Sequence, residues 1–321
     1  MKLVLIGYGA VARALVQLIR RKRREHPFTI TGIHTLRHGT AVNLAGLPAD
    51  PSFGPPAASI TDFLDAARAD IAVELTTLNP STGEPAISHI RAAIERRMHI
   101  VTANKGPIAH AYAELRKAAV QAGVQFRFES SVMDGAPVFN LWDRSLPGLK
   151  VLGFTGVLNS TSKVVIETME RGLSFDDGLA QARNLGITEA NGAFDVEGWD
   201  SAAKTAALAN VLMDANTTPQ QVSTRGITKL TPERLQEIGS QGKTVRLVSR
   251  ARRTASGVAL RVRAEVLDRS DLLACTPGTS NLILFHTDLM GTFGIVSLNP
   301  GVDQTAYGVF TDLVNCGLPP D

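Results

Sequence analysis

Apolar and polar positions in this chain follow two alternating periods. Residues 2–6, KLVLI, are a nearly unbroken apolar run, which predicts a strand buried on both faces of a parallel sheet. GYGAVA follows and opens VARALVQLIRR (11–21), where apolar residues recur every three to four positions as on an amphipathic helix. The alternation then repeats. FTITGIHT (28–35), DIAVELTT (70–77), HIVTAN (99–104) and VQFRFESS (124–131) read as strands, and ITDFLDAAR (60–68), GEPAISHIRAAIERR (83–97) and AHAYAELRKAAVQAG (109–123) as helices. A stretch rich in proline, glycine and alanine, about 39–58, reads as a loop. Strands alternating with helices predict an α/β fold with a Rossmann-type doubly wound parallel sheet.

Near residue 134 the pattern changes. KVLGFTGVL (150–158), TVRLVSRARR (244–253), VALRVRAEVL (258–267), LILFHTD (282–288) and FGIVSL (293–298) read as strands of a second sheet, with helices between them. TAYGVFTDLVNC (305–316) reads as a closing helix. These shifts predict a dinucleotide-binding domain over 1–134, with a C-terminal helix over about 303–321 returning to it. Residues 135–302 are expected to form a second, α+β domain.

Composition changes this picture little. The chain has 321 residues, 44% hydrophobic, with a net charge of +3, so nothing favours nucleic acid as a partner. The basic run RRKRRE (20–25) ends the first helix, where cations suit the dipole, and reads as a solvated face. No apolar run approaches the ~18 residues of a membrane span, and MKLVLIGYGA reads as a strand entering a glycine turn rather than a signal peptide. Cys275 and Cys316 have no metal or redox spacing, which fits a reducing cytoplasm.

Gly7, Gly9 and Ala12 form G-x-G-x-x-A between a strand and a helix. The first glycine allows the turn, the second lets a pyrophosphate approach the backbone, and the small third residue lets helix and strand pack closely. Together with Ala10 and Val11 they predict a dinucleotide site at a helix N-terminus. An acid at the end of the second strand would suit the ribose of NAD. The chain has IHTLRHG there, and Arg37 suits a 2′-phosphate, so NADP is expected, with NAD as the alternative and a plain loop residue as the other reading of Arg37.

GITEANGAFDVEGWDSAAK (186–204) gathers Glu189, Asp195, Glu197, Asp200 and Lys204. Asp200 and Lys204 lie one helical turn apart on one face. An isolated pair of this kind is usually a solvated ion pair. Here Trp199 and the alanine-rich flanks predict burial, where a lysine can exchange a proton and the acids can receive an ammonium group.

The string VELTTLNPSTGEPAISHIRAAIERRMHIVTANKGPIA (73–109) closely resembles the homoserine dehydrogenase family, above all its short form without a regulatory domain. ESSVMDGAPV (129–138), GVLNSTS (156–162), the acid–lysine stretch and NPGVDQTAYGVFTDL (299–313) extend the resemblance over nearly the whole chain. It implies a dimeric NAD(P)-dependent oxidoreductase that interconverts L-homoserine and L-aspartate 4-semialdehyde, towards threonine and methionine. It also implies that the α+β domain over 135–302 is the one for substrate binding and dimerisation. It further implies that Lys105 and Lys204 are the active-site lysines, with Lys204 the acid/base at the substrate oxygen and Lys105 also near the cofactor. Glu189 and Asp200 would orient the amino-acid end and Lys204, with Asp195 beside them. Asn159 and Thr161 would line the substrate pocket, and Thr76, Thr77 and Gly301 would touch the cofactor. Glu129, with carbonyls near Val132, Asp134 and Ala136, corresponds to a monovalent-cation (sodium or potassium) site. The alternative for Glu129 is a satisfied strand-end acid.

The chain departs from the family pattern at Met133-Asp134, at Asn159-Ser160-Thr161 with Lys163 following, at Ile187 in place of a usual tyrosine, and at Asn191-Gly192. These positions lie beside the substrate or cation, and Lys163 is expected to add a charge close to Thr161. Two other readings are a paralogous dehydrogenase of another small hydroxy- or amino acid, and a non-catalytic cofactor-binding sensor. The intact Lys105, Asp200 and Lys204 argue against the sensor.

Overall fold

A computed structural model describes residues 1–188, 192–276 and 278–317. The chain divides into two compact units. The first comprises Met1–Asn140 and the segment from Gly301 onward; the second comprises Leu141–Pro300.

In the first unit, β1 (Lys2–Ile6), α1 (Ala10–Arg21), β2 (Thr29–Thr35), β3 (Gly39–Val42), α2 (Ile60–Ala67), β4 (Ile71–Glu74), α3 (Ala86–Glu95), β5 (His99–Thr102), α4 (Lys105–Ala122) and β6 (Phe126–Arg127) follow in order. The sheet runs β3-β2-β1-β4-β5-β6, parallel except for the β2–β3 hairpin. Strand geometry explains why Leu3–Ile6 are apolar without a break. Leu3 and Leu5 pack with Leu15, Ile19 of α1 and with Val309 and Leu313 of the terminal helix, Val302–Cys316, while Val4 and Ile6 pack with Phe63, Ile90 and Ala93 on the opposite face. β1 lies between β2 and β4, so the chain order reverses there, and such a switch point opens a crevice at the strands' carboxyl ends.

Two expectations need correction here. The loop over 39–58 contains β3, a four-residue edge strand too short to display a period. α4 begins at Lys105 rather than 109, because the Asn104 side chain accepts from Gly106 N at 2.9 Å and caps the helix, while Pro107 sits in the first turn, where no intrahelical N–H is needed.

α5 (Phe139–Arg144) starts in the first unit and ends in the second. The second unit continues with β7 (Val151–Val157), α6 (Ser160–Glu170), α7 (Phe175–Asn184), α8 (Ala193–Val196), α9 (Trp199–Met213), β8 (Ser223–Thr224), α10 (Pro232–Ser240), β9 (Lys243–Thr254), β10 (Gly257–Asp268), β11 (Asn281–Thr287) and β12 (Thr292–Ser297). Its sheet order is β12-β11-β7-β9-β10-β8, antiparallel apart from β8 beside β10. α9 packs on β9 and β10, and its Ala202, Ala203, Ala206, Ala207 and Ala209 are buried. Among the described residues, no helix is long and apolar enough to cross a membrane.

Candidate active site

The cofactor motif forms the turn from β1 into α1. Gly7 has φ +99°, and a Cβ there would lie 2.5 Å from the Leu75 carbonyl oxygen, so only glycine fits. Gly9 is the N-cap of α1 and brings no side-chain cap. A Cβ built on it would meet nothing within 4 Å. The first N–H groups of α1, including those of Ala10 and Val11, therefore face an open cradle, which fits a pyrophosphate. Ala12 is fully buried under the sheet. Arg37 lies exposed in the turn joining β2 to β3.

One buried acid that the sequence reading missed organises the neighbouring strand ends. Glu74, 1% exposed, ends β4 and accepts from Thr76 N at 3.0 Å and from the Thr76 hydroxyl, and the Thr102 hydroxyl lies 3.0 Å from its Oε2. Asn104 Nδ2 in turn donates to Thr76 O at 3.2 Å. Thr76 and the helix start that carries Lys105 are thereby fastened to each other. The available signal was an acid closing the apolar run IAVE. Thr77 is exposed next to Thr76, and Gly301, whose N–H donates to Gln304 Oε1 at 3.1 Å, starts the terminal helix of this unit.

In the second unit the structure brings together Asn159, Asp195, Asp200 and Lys204. Asn159 caps α6 by accepting from Ser162 N at 2.7 Å. Its Nδ2 donates to Asp195 Oδ1 at 2.7 Å and to Asp200 Oδ2 at 3.0 Å. Lys204 Nζ lies 3.1 Å from the same Asp200 oxygen and donates to Leu158 O at 2.6 Å. The Thr188 hydroxyl donates to Asp195 Oδ2 at 2.9 Å. Burial, followed by the charge of Asp200, pushes the Asp195 carboxyl above its usual range, against the pull of Asn159 and Thr188. Thr161, 2% exposed, donates its hydroxyl to Ile187 O at 3.2 Å, which ties the start of α6 to the segment entering the acid cluster. Glu189 and Asn191 lie outside the described residues.

Lys163 corrects an expectation. It is 1% exposed, and its Nζ turns away from Thr161 to the carbonyls of Ser280 at 2.5 Å and Thr276 at 3.3 Å. The i+4 spacing puts Glu167 near it on α6, and Glu167 meets Arg246 at 3.1 Å. Lys163 is a strut between α6 and the segment before β11, not a pocket charge. Burial pushes its pKa down to about 8, with Arg246 adding to the fall and Glu167 opposing it.

Glu129, 2% exposed, opens a short 3-10 turn of the first unit. Its Oε1 accepts from Val138 N at 2.6 Å and Phe139 N at 2.8 Å, and its Oε2 from Asn140 N at 2.6 Å. Burial raises its pKa to about 7; these N–H donors oppose the rise and Asp312 adds to it. With two N–H groups on Oε1, only Oε2 retains a lone pair for a cation. The loop that follows carries Val132, Asp134 (φ +56°) and Ala136, and Asp134 Oδ1 accepts from the Thr305 hydroxyl at 3.2 Å.

A glycine cradle on a doubly wound sheet, with an acid–amide–lysine cluster on a second α+β unit, defines an NAD(P)-linked oxidoreductase of small molecules. The family model for homoserine dehydrogenase matches residues 137–314, and that for the homoserine dehydrogenase NAD binding domain matches residues 7–129. The chain belongs to the homoserine dehydrogenase family. It is 37% identical to an NAD(+)-dependent homoserine dehydrogenase of Pseudomonas canavaninivorans, over 98% of this chain and 95% of that protein. It is 32% identical to the homoserine dehydrogenase of Methanocaldococcus jannaschii, over 98% of each. The crystal structure of the Thermoplasma acidophilum homoserine dehydrogenase superposes with a TM-score of 0.84 at 25% identity, covering 99% of both chains.

Proposed function

We propose that this chain oxidises L-homoserine to L-aspartate 4-semialdehyde and reduces the aldehyde back, with NADP preferred over NAD. The observation that carries the reading is the cluster of Asn159, Asp195, Asp200 and Lys204, in a member of this family. When bound, the nicotinamide cofactor supplies or accepts the hydride. The chain's own residues move the proton and hold the substrate. In the oxidation direction the hydroxyl proton passes to Lys204 Nζ, and Asp200, 3.1 Å away, stabilises the ammonium that forms. Asp195, fixed by Asn159 and Thr188, receives the substrate's ammonium together with Glu189, while Asn159 and Thr161 shape the pocket. Lys105, at the start of α4, is the lysine on the cofactor side, with Thr76, Thr77 and Gly301 as further contacts.

Arg37 supports the NADP preference, since no acid follows β2 to hold a ribose hydroxyl. Arg37→Asp should raise the KM for NADP and spare that for NAD; an equal change in both would remove Arg37 as the phosphate contact. A sodium or potassium ion at Glu129 Oε2 and the carbonyls of Val132, Asp134 and Ala136 is part of this reading, as is a homodimer. Activity that is the same in sodium, potassium and tetramethylammonium salts would discard the cation, and light scattering at the mass of one chain would discard the dimer.

The test of the whole reading is turnover of L-homoserine with NADP, followed by absorbance of the reduced nicotinamide, beside a panel of hydroxy-amino acids. A second reading, a dehydrogenase of another small hydroxy- or amino acid, is favoured by Ile187, and would take over if an analogue were oxidised and homoserine were not.

A further inference from the structure

The first unit contains a cleft of about 340 Å³ beside the glycine turn, which the cofactor motif does not account for. One wall is the outer face of α1. Ala12, Leu15, Val16 and Ile19 are buried, so Arg13, Gln17 and Arg20 share the solvent-facing stripe at i, i+4 and i+7. Tyr8, between the two motif glycines, and Phe53 line the cleft with ring centroids 5.9 Å apart. The Arg13 guanidinium carbon lies over the Tyr8 ring, 5.3 Å from its centroid, and Arg13 lines the cleft. From the far side, His38 of the β2–β3 turn reaches Phe53 at 6.2 Å. Among the described residues, Arg13, Arg20 and His38 take part in no ion pair. Asp50 is the single acid lining the cleft, against two arginines and a histidine.

Two cations and a histidine around an aromatic floor make an anion site with planar surfaces. Its position selects the anion. A dinucleotide whose pyrophosphate rests on the α1 N-terminus extends its adenosine ribose towards the end of β2, and this cleft joins the glycine turn to the turn after β2. We infer that Arg13, with His38, receives the 2′-phosphate of NADP in this cleft, and that Arg13 rather than Arg37 alone sets the preference for the phosphorylated cofactor. The inference rests on the NADP reading above and adds a residue to it. Both Arg13 and Arg37 are exposed, but the guanidinium of Arg13 already rests over the Tyr8 ring, so it loses less freedom when a phosphate arrives.

The test uses the full chain and two probes that cannot turn over, adenosine 2′,5′-bisphosphate and adenosine 5′-monophosphate, with binding read by titration calorimetry. Wild type should bind the bisphosphate about tenfold or more tightly than the monophosphate, as expected for one good charge-assisted contact. Arg13→Gln should remove most of that advantage and leave the monophosphate unchanged. His38→Gln should give a smaller loss in the same direction, which keeps the test open if Arg13→Gln folds poorly. Arg24→Gln, at an exposed position outside the cleft lining, should change nothing. Equal affinity for the two probes in wild type, or an advantage that survives both variants, overturns the inference. Homoserine turnover in the same preparations separates the two failures. Turnover with no bisphosphate advantage sinks the cleft alone, and an advantage that depends on Arg13 without homoserine turnover sinks the substrate reading alone.

Discussion

Asn159 Nδ2 lies 2.7 Å from Asp195 Oδ1 and 3.0 Å from Asp200 Oδ2, so one neutral amide holds two carboxylates together on the substrate unit. Asn159→Asp keeps the shape, removes both donated bonds and adds a third negative charge. The kcat/KM for homoserine should fall about 100-fold or more, by the loss of two charge-assisted hydrogen bonds and the new repulsion. Steady-state kinetics at saturating cofactor give the number. A change within twofold would mean that the amide does not set the geometry of the acids.

Lys204→Ala and Lys105→Ala should each lower kcat by roughly two to four orders of magnitude, the range for loss of a general acid/base. Cofactor affinity, read by fluorescence titration, should barely move in Lys204→Ala, because Lys204 belongs to the second unit. Full turnover in that variant would end the proposed proton path.

Lys163 gives a pH signature separate from catalysis. Its pKa is about 8 in the fold, against an ordinary lysine value of 10.5. Between those values the unfolded chain binds more protons than the folded one, so raising the pH should stabilise the fold over this window and have no further effect through Lys163 below it. Lys163→Met removes the titration. The difference in urea-unfolding free energy, wild type minus variant, should therefore climb from pH 8 to pH 10; a flat difference would mean that the burial of this ammonium costs nothing.

Ile187 stands where the family resemblance leads one to expect a tyrosine, and its carbonyl accepts from Thr161 Oγ1 at 3.2 Å. Ile187→Tyr leaves that main-chain bond in place, so it reads the side chain alone. If the pocket is a weakened homoserine site, the KM for homoserine should drop in the variant, since a restored hydroxyl gives the substrate a polar partner. A loss of activity from an already efficient wild type would show that the pocket has been rebuilt elsewhere.

Much of the fold was legible because its signals are local. KLVLI, the G-x-G-x-x-A turn and the amphipathic α1 each carry their own period, and the long strands β9 and β10 announce themselves over 12 residues each. β3 was not legible, since four residues at a sheet edge show no period. The Asp200–Lys204 pair could be read from helical spacing, and it forms at 3.1 Å. The direction of a long side chain could not be read. Lys163 was expected beside the substrate and instead spans to Ser280, 117 residues away in sequence. Glu74 and the cleft around Arg13 were missed for the same reason: Thr102, and the Ala49, Asp50 and Phe53 wall opposite Arg13, become neighbours only when strands and loops assemble.

The central claim is that hydride leaves the hydroxymethyl carbon of homoserine. L-homoserine bearing deuterium at both hydrogens of that carbon, oxidised by the wild-type chain with NADP and analysed by mass spectrometry, should give one deuterium in each reduced cofactor formed and one retained in the aldehyde. Reduced cofactor without label, or no reduction with homoserine while an analogue is oxidised, would contradict the account.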